Sequence, residues 1–362
     1  MKVVKFKSED EHQKQFVATL RKNVNDYFTS NGISKQGDWR MYLKSIVMLA
    51  AYIAPFVVIL TVPMNAWFKL ILVVLMGIGE AGIGMSVMHD AAHGVFSKNK
   101  WVNNFFASTM FILGSNTFNW RIQHNLLHHT FTNIQGFDQD IDQKVIRLCQ
   151  HDPVKKFHRF QQFYAFFLYR LMTFSKLITD IFQLIDFNKR GITEEQGYSP
   201  KGELFKLILT KVLYFSIILG LPIIFLDLSW WQLLIGFMTL HITAGMIMST
   251  VFQMAHVVEG TQQPLPDENG IIHNEWAVHQ LQTTSDFGRN NRMMNWYVGG
   301  LNFQIEHHLY TNICHIHYPK IAPIVEQTAN EYGIDYNQKS TFLSALISHQ
   351  KRLKELGRSD AV

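Results

Sequence analysis

The sequence predicts an all-α integral membrane protein. Four transmembrane helices form two hairpins, and a cytosolic helical cap holds a histidine-rich di-metal site. Three observations predict this. Four apolar segments are each long enough to cross a bilayer, which takes about 20 residues of helix. The links within each pair of segments are very short. Groups of closely spaced histidines fall at the ends of these segments or in the polar stretches between them.

Composition narrows the class. The chain has 362 residues, 48% of them hydrophobic and only 17% charged, against about 25% charged in an average soluble protein. The net charge of +5 suits positive loops beside anionic lipid. The cations are scattered and the apolar runs long, so membrane lipids are the expected surroundings and no nucleic-acid partner is expected. Cys149 and Cys314 are too few for a disulfide framework and fit reduced thiols in the cytosol. The opening stretch MKVVKFKSEDEHQKQ has no signal-peptide core.

In chain order, residues 1–40 read as a cytosolic N-terminal segment. Residues 41–318 form the membrane and catalytic domain, with spans at about 41–63, 67–88, 204–226 and 231–254. Residues 319–362 form a cytosolic helical tail. Trp67, Trp230 and Trp231 lie in the tight links, where an interfacial aromatic belt belongs. Those links carry almost no Lys or Arg, only Lys69 near one edge. The N-terminal, middle and C-terminal regions carry nearly all the positive charge. The positive-inside rule therefore places both termini and the middle region in the cytosol.

Four smaller readings complete the pass. Residues 105–113 are too short to span and read as interfacial or re-entrant. Residues 160–178 are interrupted by Arg170 and read as an amphipathic helix on the membrane surface. The stretch GIGEAGIG, residues 77–84, contains GxGxxG but sits inside a span with no preceding strand. It reads as small-residue helix packing, not a dinucleotide site. Glu80 and His241, inside spans, read as buried hydrogen-bonding groups between helices.

The chemistry lies in the histidines. HDAAH carries His89 and His93, HNLLHH carries His124, His128 and His129, and QIEHH carries Gln304, His307 and His308. FQMAH ends the fourth span at His256. Spacing i, i+4 puts His89 and His93 on one helical face, and likewise His124 and His128, with His129 to the side. All of them fall on the side that the charge pattern assigns to the cytosol. Neutral imidazole is the commonest metal ligand and suits iron, zinc, copper and nickel. Eight histidines exceed what one ion can hold, so two ions are expected. Asp90, Asp138, Asp140 and Glu306 read as acceptors for the ligands' other ring N–H. Two redox ions beside a membrane suggest oxygen activation, because an apolar chain offers only C–H bonds to attack. The Glu-x-x-His pattern of soluble di-iron bundles is absent.

HDAAH, HNLLHH and QIEHH, in this order and with two hairpins, resemble the membrane fatty acid desaturases across nearly the whole chain. GGLNFQIEHHLY resembles the front-end branch, including the bacterial linoleoyl-CoA desaturases. That branch inserts a double bond between an existing one and the carboxyl end. The resemblance implies two iron ions, for which zinc can substitute in recombinant protein. It also implies molecular oxygen and two electrons from a separate donor. By resemblance His89, His93, His124, His128, His129, His256, His307 and His308 are ligands, and Gln304 stands where other desaturases place a ligating histidine. Phe252 and Gln253 occupy the turn before His256, where relatives place an asparagine. Trp120 is expected to line the acyl tunnel, and Arg121 to meet a phosphate or pantetheine of the substrate, an acyl-CoA or acyl-lipid. The roughly forty residues before the first span are too few for a fused haem domain, and no His-Pro-Gly-Gly motif occurs. The expected donor is ferredoxin or a free haem cytochrome with its reductase. His315 and His317 read as packing residues. Two other functions compete: a di-iron acyl or alkyl hydroxylase on the same scaffold, and a metal transporter. The crowding of ligands on one membrane side argues against transport.

Overall fold

The computed structural model describes residues 4–359. Four helices are long and apolar enough to cross a membrane: Trp39–Thr61, Ala66–Ala92, Pro200–Phe225 and Trp230–His256. Their starts are written locally. Asp38 and Asn65 cap the first two by accepting the Arg40 and Phe68 backbone N–H groups at 2.9 and 3.1 Å. Ser199 caps the third, with Pro200 at its first position, where a missing N–H costs nothing. The second helix reaches farther than expected and takes in His89, and the fourth ends at His256.

The chain folds as two compact units. Among the described residues one comprises 38–122 and 166–250, the other 4–37, 123–165 and 251–359.

The first unit holds most of the apolar helix. Its GIGEAGIG stretch packs as small residues do in membranes. A Cβ on Gly79 would lie 2.8 Å from the Tyr52 backbone nitrogen, and one on Gly77 would lie 2.6 Å from the Thr243 Cβ. The first and fourth membrane helices thus approach the second at backbone distance. His241 meets its expectation, with Tyr214 Oη at 2.8 Å and Thr173 Oγ1 at 3.1 Å. Glu80 does not. Both its oxygens are buried without a hydrogen-bond partner among the described residues.

The helix expected over 160–178 is instead two helices, Gln161–Tyr169 and Met172–Lys189. The fourth membrane helix explains the break. Gly245 gives the Arg170 carbonyl room that a Cβ would fill at 2.7 Å, and Ser249 donates to the Tyr169 carbonyl at 3.2 Å.

In the second unit the N-terminal helix Glu11–Asn31 buries Phe16, Leu20, Val24 and Phe28, spaced four residues apart along one stripe. They pack with Ile321, Val325 and Ala329 of Tyr318–Glu331, and with Phe303 and Ile305 around the start of helix Gln304–Leu309. This core fixes the QIEHH segment from behind. The tail after 319 is two helices separated at Gly333, the second being Phe342–Leu356. Two parallel two-residue ladders, Lys5–Phe6 with Ile271–Ile272 and Asp286–Phe287 with Gln338–Lys339, are small additions to the all-α expectation.

His349 ties that last helix to the end of the fourth membrane helix. Its Nδ1–H donates to the Val257 carbonyl at 2.6 Å. Burial pushes its pKa from 6.5 down to about 4. The folded state holds the ring neutral, whereas the unfolded chain protonates it near 6.5. Its contribution to stability is therefore complete above pH 6.5 and is lost as pH falls toward 4, by up to ~3 kcal/mol. Thermal unfolding in detergent across that window should show this loss. His349→Gln, which keeps a donor but does not titrate, should flatten it.

Candidate metal centre

In the unit formed by 38–122 and 166–250, the second membrane helix widens to a π-helix over Ile83–Met88 immediately before HDAAH. Such widenings frequently accompany functional sites. The His89 and His93 rings meet edge-on with centroids 4.7 Å apart, and Trp120 lies 5.5 Å from each. His89 Nδ1 is 3.5 Å from Asp90 Oδ1. Arg121 braces the end of this helix. Its Nε donates to the Ala92 carbonyl and its Nη2 to Asn104 Oδ1, each at 3.3 Å.

HNLLHH lies in a second π-helix, Arg121–His128, that runs into His129–Phe131. This corrects the expectation for His129. In an α-helix, position i+5 points away from position i. In the i→i+5 winding it returns to the same face. His129 Nε2 is accordingly 3.1 Å from His124 Nε2. The His124 and His128 rings stack with centroids 5.4 Å apart.

QIEHH is the short helix Gln304–Leu309, reached through a Gly299–Gly300 turn at positive φ. At Gly300 a side chain would also strike the His315 Cβ at 2.8 Å. Within the unit that includes 123–165 and 251–359, two clusters made only of rings form among the described residues. His128, His256 and His308 can each offer one nitrogen such that all three lie within 4.8 Å of one another, and so can His129, His307 and His308. His308 belongs to both. Every ring in these clusters is buried.

The hydrogen bonds fix which ring nitrogens are bare. The His128 Nδ1–H points at Asp138, 3.1 and 3.2 Å from its two oxygens. Asp138 also accepts the Asn133 and Asp140 backbone N–H groups at 2.9 and 3.0 Å. Asp140 stands 3.5 Å from the same nitrogen and accepts from Gln123 at 2.6 Å. Burial opposes charge on His128, but Asp138 outweighs it and lifts the ring's pKa. His128 Nε2 then faces the cluster with no hydrogen-bond partner among the described residues. His308 has no carboxylate beside it, and burial with neighbouring rings holds it neutral. His307 Nδ1 lies 3.3 Å from the Tyr318 hydroxyl. Phe252 packs its ring 4.9 Å from His256 and 5.2 Å from His128. The Gln304 amide nitrogen donates to His256 Nε2 at 2.8 Å and His308 Nε2 at 3.2 Å. Converging imidazoles, one with an unpartnered buried nitrogen, suit a transition-metal ion well.

Glu306 is not with the ligand rings' N–H groups, as expected, but behind the helix. A residue one or two positions from a ligand does not share its face. Glu306 Oε1 lies 2.9 Å from the Tyr336 hydroxyl, which is also 2.6 Å from Asp286 Oδ2. Asp286 Oδ1 accepts the Ile305 backbone N–H at 3.0 Å and so caps the QIEHH helix. Burial raises both carboxyl pKa values. His317 is packed against Phe28, as expected for a packing residue, with ring centroids 5.2 Å apart.

Several residues of this site were not singled out from the sequence. Asn133, at φ 58, is the one non-glycine residue of positive φ among those described. Its amide donates to the carbonyls of His256, Gln262 and Thr283 at 3.0–3.2 Å. Asn tolerates the left-handed region better than most residues, which is the only local signal that could have marked it. Gln280, Thr132 and Asp286 carry none.

Comparison with known proteins agrees with this picture. The family model described as fatty acid desaturase matches residues 65–340. The chain is similar to the sn-1 linoleoyl-lipid 6-desaturase of Synechocystis sp., at 34% identity over 95% of this chain and 96% of the relative. It is 35% identical to the enzyme of that name from Arthrospira platensis, over 94% and 92%. It is 31% identical to an acyl-lipid (8-3)-desaturase of Physcomitrium patens, over 97% of this chain and 73% of the relative.

Proposed function

The chain belongs to the fatty acid desaturase family, and on that premise we propose that it is a front-end acyl-lipid desaturase using two iron ions. It is an integral membrane oxidoreductase acting on fatty acyl chains. The names of its relatives favour a linoleoyl group carried on a lipid as substrate, desaturated at position 6. The observation that carries the metal reading is the convergence of His128, His256 and His308.

His128, His129, His256, His307 and His308, with His124, would hold iron. His89 and His93 join them on the family resemblance, and Gln304 stands beside the set. With two donor electrons, two protons and O2, bound iron supplies the oxidant that takes one hydrogen from each of two adjacent methylenes, giving a C=C bond and two waters. The protein's own residues set the geometry. Asp138 holds His128 with Nε2 bare. Phe252 packs an apolar wall against two of the rings, which keeps water from them. Trp120 is proposed to line the acyl path, so that the depth of insertion selects the carbon pair. The electron donor is a separate ferredoxin, or a haem cytochrome with its reductase. We further propose cytosolic termini and active site at a bacterial inner membrane. In this reading 1–40 is an N-terminal segment, 41–318 the catalytic domain with two hairpins, and 319–362 a tail.

The decisive experiment is expression in a host without polyunsaturated lipids, with linoleic acid and other fatty acids fed and the lipid products mapped. New double bonds on the carboxyl side of existing ones are expected. Hydroxy-acids without new double bonds would support the hydroxylase instead. Gln304→His should retain full metal stoichiometry, since an imidazole replaces an amide beside His256 and His308. Turnover should fall about tenfold as the hydrogen bonds to both rings change. Elemental analysis together with product assay checks both halves.

A further inference from the structure

Helix Trp276–Thr283 contains none of the histidine boxes, yet it reaches the site. Its Gln280 is completely buried. The Gln280 amide nitrogen faces the His129 backbone carbonyl at 3.2 Å. A carbonyl only accepts, so the NH2 group must be on that side. The Gln280 oxygen then faces His308 Nδ1 at 2.8 Å. An amide oxygen also only accepts, so Nδ1 must carry the ring proton. His308 Nε2 therefore carries no proton, and it accepts from the Gln304 amide at 3.2 Å. The Thr132 hydroxyl, whose shortest bond is to the His128 carbonyl at 2.7 Å, also lies 3.0 Å from the Gln280 oxygen and 3.2 Å from His308 Nδ1. The helix is fixed to the same loop next door, where His279 Nε2–H donates to the Thr132 carbonyl at 2.9 Å. Nothing in this chain of bonds depends on a charge.

We infer that Gln280 is a positioning residue of the metal centre: its amide locks His308 in the tautomer that presents Nε2 to metal, and links that ring to the box-two backbone at His129. The inference rests on His308 being a ligand, as proposed above. It adds an asymmetry between two rings of one cluster. His128 is held by the anion of Asp138 and His308 by a neutral amide. A carboxylate partner raises a ligand's basicity and an amide does so much less. The His308 side of the centre therefore has the weaker electron donor.

The test uses full-length protein in detergent, stripped of metal and titrated with Co(II) against a competing chelator, with the ligand-field absorption recorded. Gln280→Leu keeps the volume but has no acceptor, and should weaken one Co(II) equivalent by about 10–100-fold while leaving the other unchanged. Gln280→Glu restores the acceptor as an anion. It should bind that equivalent at least as tightly as wild type, with a shifted absorption band. A residue that only packs would affect both variants alike and neither Co(II) selectively. Wild-type affinity for both ions in Gln280→Leu, or Gln280→Glu as weak as Gln280→Leu, overturns the inference. Should Gln280→Leu fail to fold, Gln280→Met takes its place, since Gln280→Glu also loses the donor that meets the His129 carbonyl: wild-type affinity for both ions then overturns the inference. His308→Ala in the same titration separates the two levels. If His308→Ala also keeps both ions, the ligand assignment fails. If it loses metal and Gln280→Leu does not, only the role of Gln280 fails.

Discussion

His308→Ala is expected to abolish desaturation and to remove metal from the protein. His308 is the ring common to the two clusters, one with His128 and His256 and one with His129 and His307. With Nδ1 protonated, His308 offers one nitrogen, so its loss takes a donor from one ion at the place where the two clusters meet. Removal of a metal's contribution to the reaction is worth several kcal/mol, and ~4 kcal/mol corresponds to about a thousandfold in rate. Turnover should therefore fall to a thousandth of wild type or below. Elemental analysis should find less than the wild-type complement of metal. The fold should survive, because His308 is anchored by Gln280 and Gln304 and is not part of the apolar core around Phe16, Phe303 and Ile305. His307→Ala is expected to act similarly on activity and on full metal loading. Normal turnover in either variant would overturn the site.

Why the sequence revealed so much of this site, and not all of it, follows from the range of the signals. The four membrane helices were legible because a bilayer demands about 20 apolar residues in one continuous run. The paired histidines were legible because i, i+4 spacing is itself a statement about a helical face. His129 was misplaced because that rule assumes α-helical winding, and nothing in HNLLHH announces the π-helix of Arg121–His128. The break at residues 170–171 depends on Gly245 and Ser249, some 75 positions later in the chain. Gln280 and Asn133 depend on partners brought in by tertiary packing, and single buried amides leave no periodic trace. Glu306 is different. Helical geometry alone places it away from His307 and His308, so its partnership with Tyr336 and Asp286 could have been anticipated in direction, though not in identity.

Asp138→Asn should weaken metal binding by about 10–100-fold and lower activity with it. The change is nearly isosteric, so its effect isolates what the carboxylate does. Asp138 has only donors around it: His128 Nδ1–H and the Asn133 and Asp140 backbone N–H groups. An ionised carboxylate meets all three with acceptors. Asparagine keeps one acceptor and places an NH2 group against the rest. Each Asp138 oxygen takes one backbone N–H and shares the His128 Nδ1–H, so in either amide orientation the NH2 faces a backbone N–H and leaves a buried donor unmet, at a cost of about 1–3 kcal/mol. The same NH2 also faces His128 Nδ1, which can accept from it only by moving the ring proton to Nε2. That proton occupies the nitrogen that faces the cluster without a partner in the wild-type protein, and metal cannot bind there. Either orientation harms the site, through stability and through the ligand. A double-variant cycle distinguishes a direct effect on His128 from a general loosening of the loop. In a His128→Ala background the ring is gone, so adding Asp138→Asn should cost little further metal affinity and leave only the stability loss. Full additivity of the two substitutions in metal affinity would show instead that Asp138 acts on the centre by a route other than His128.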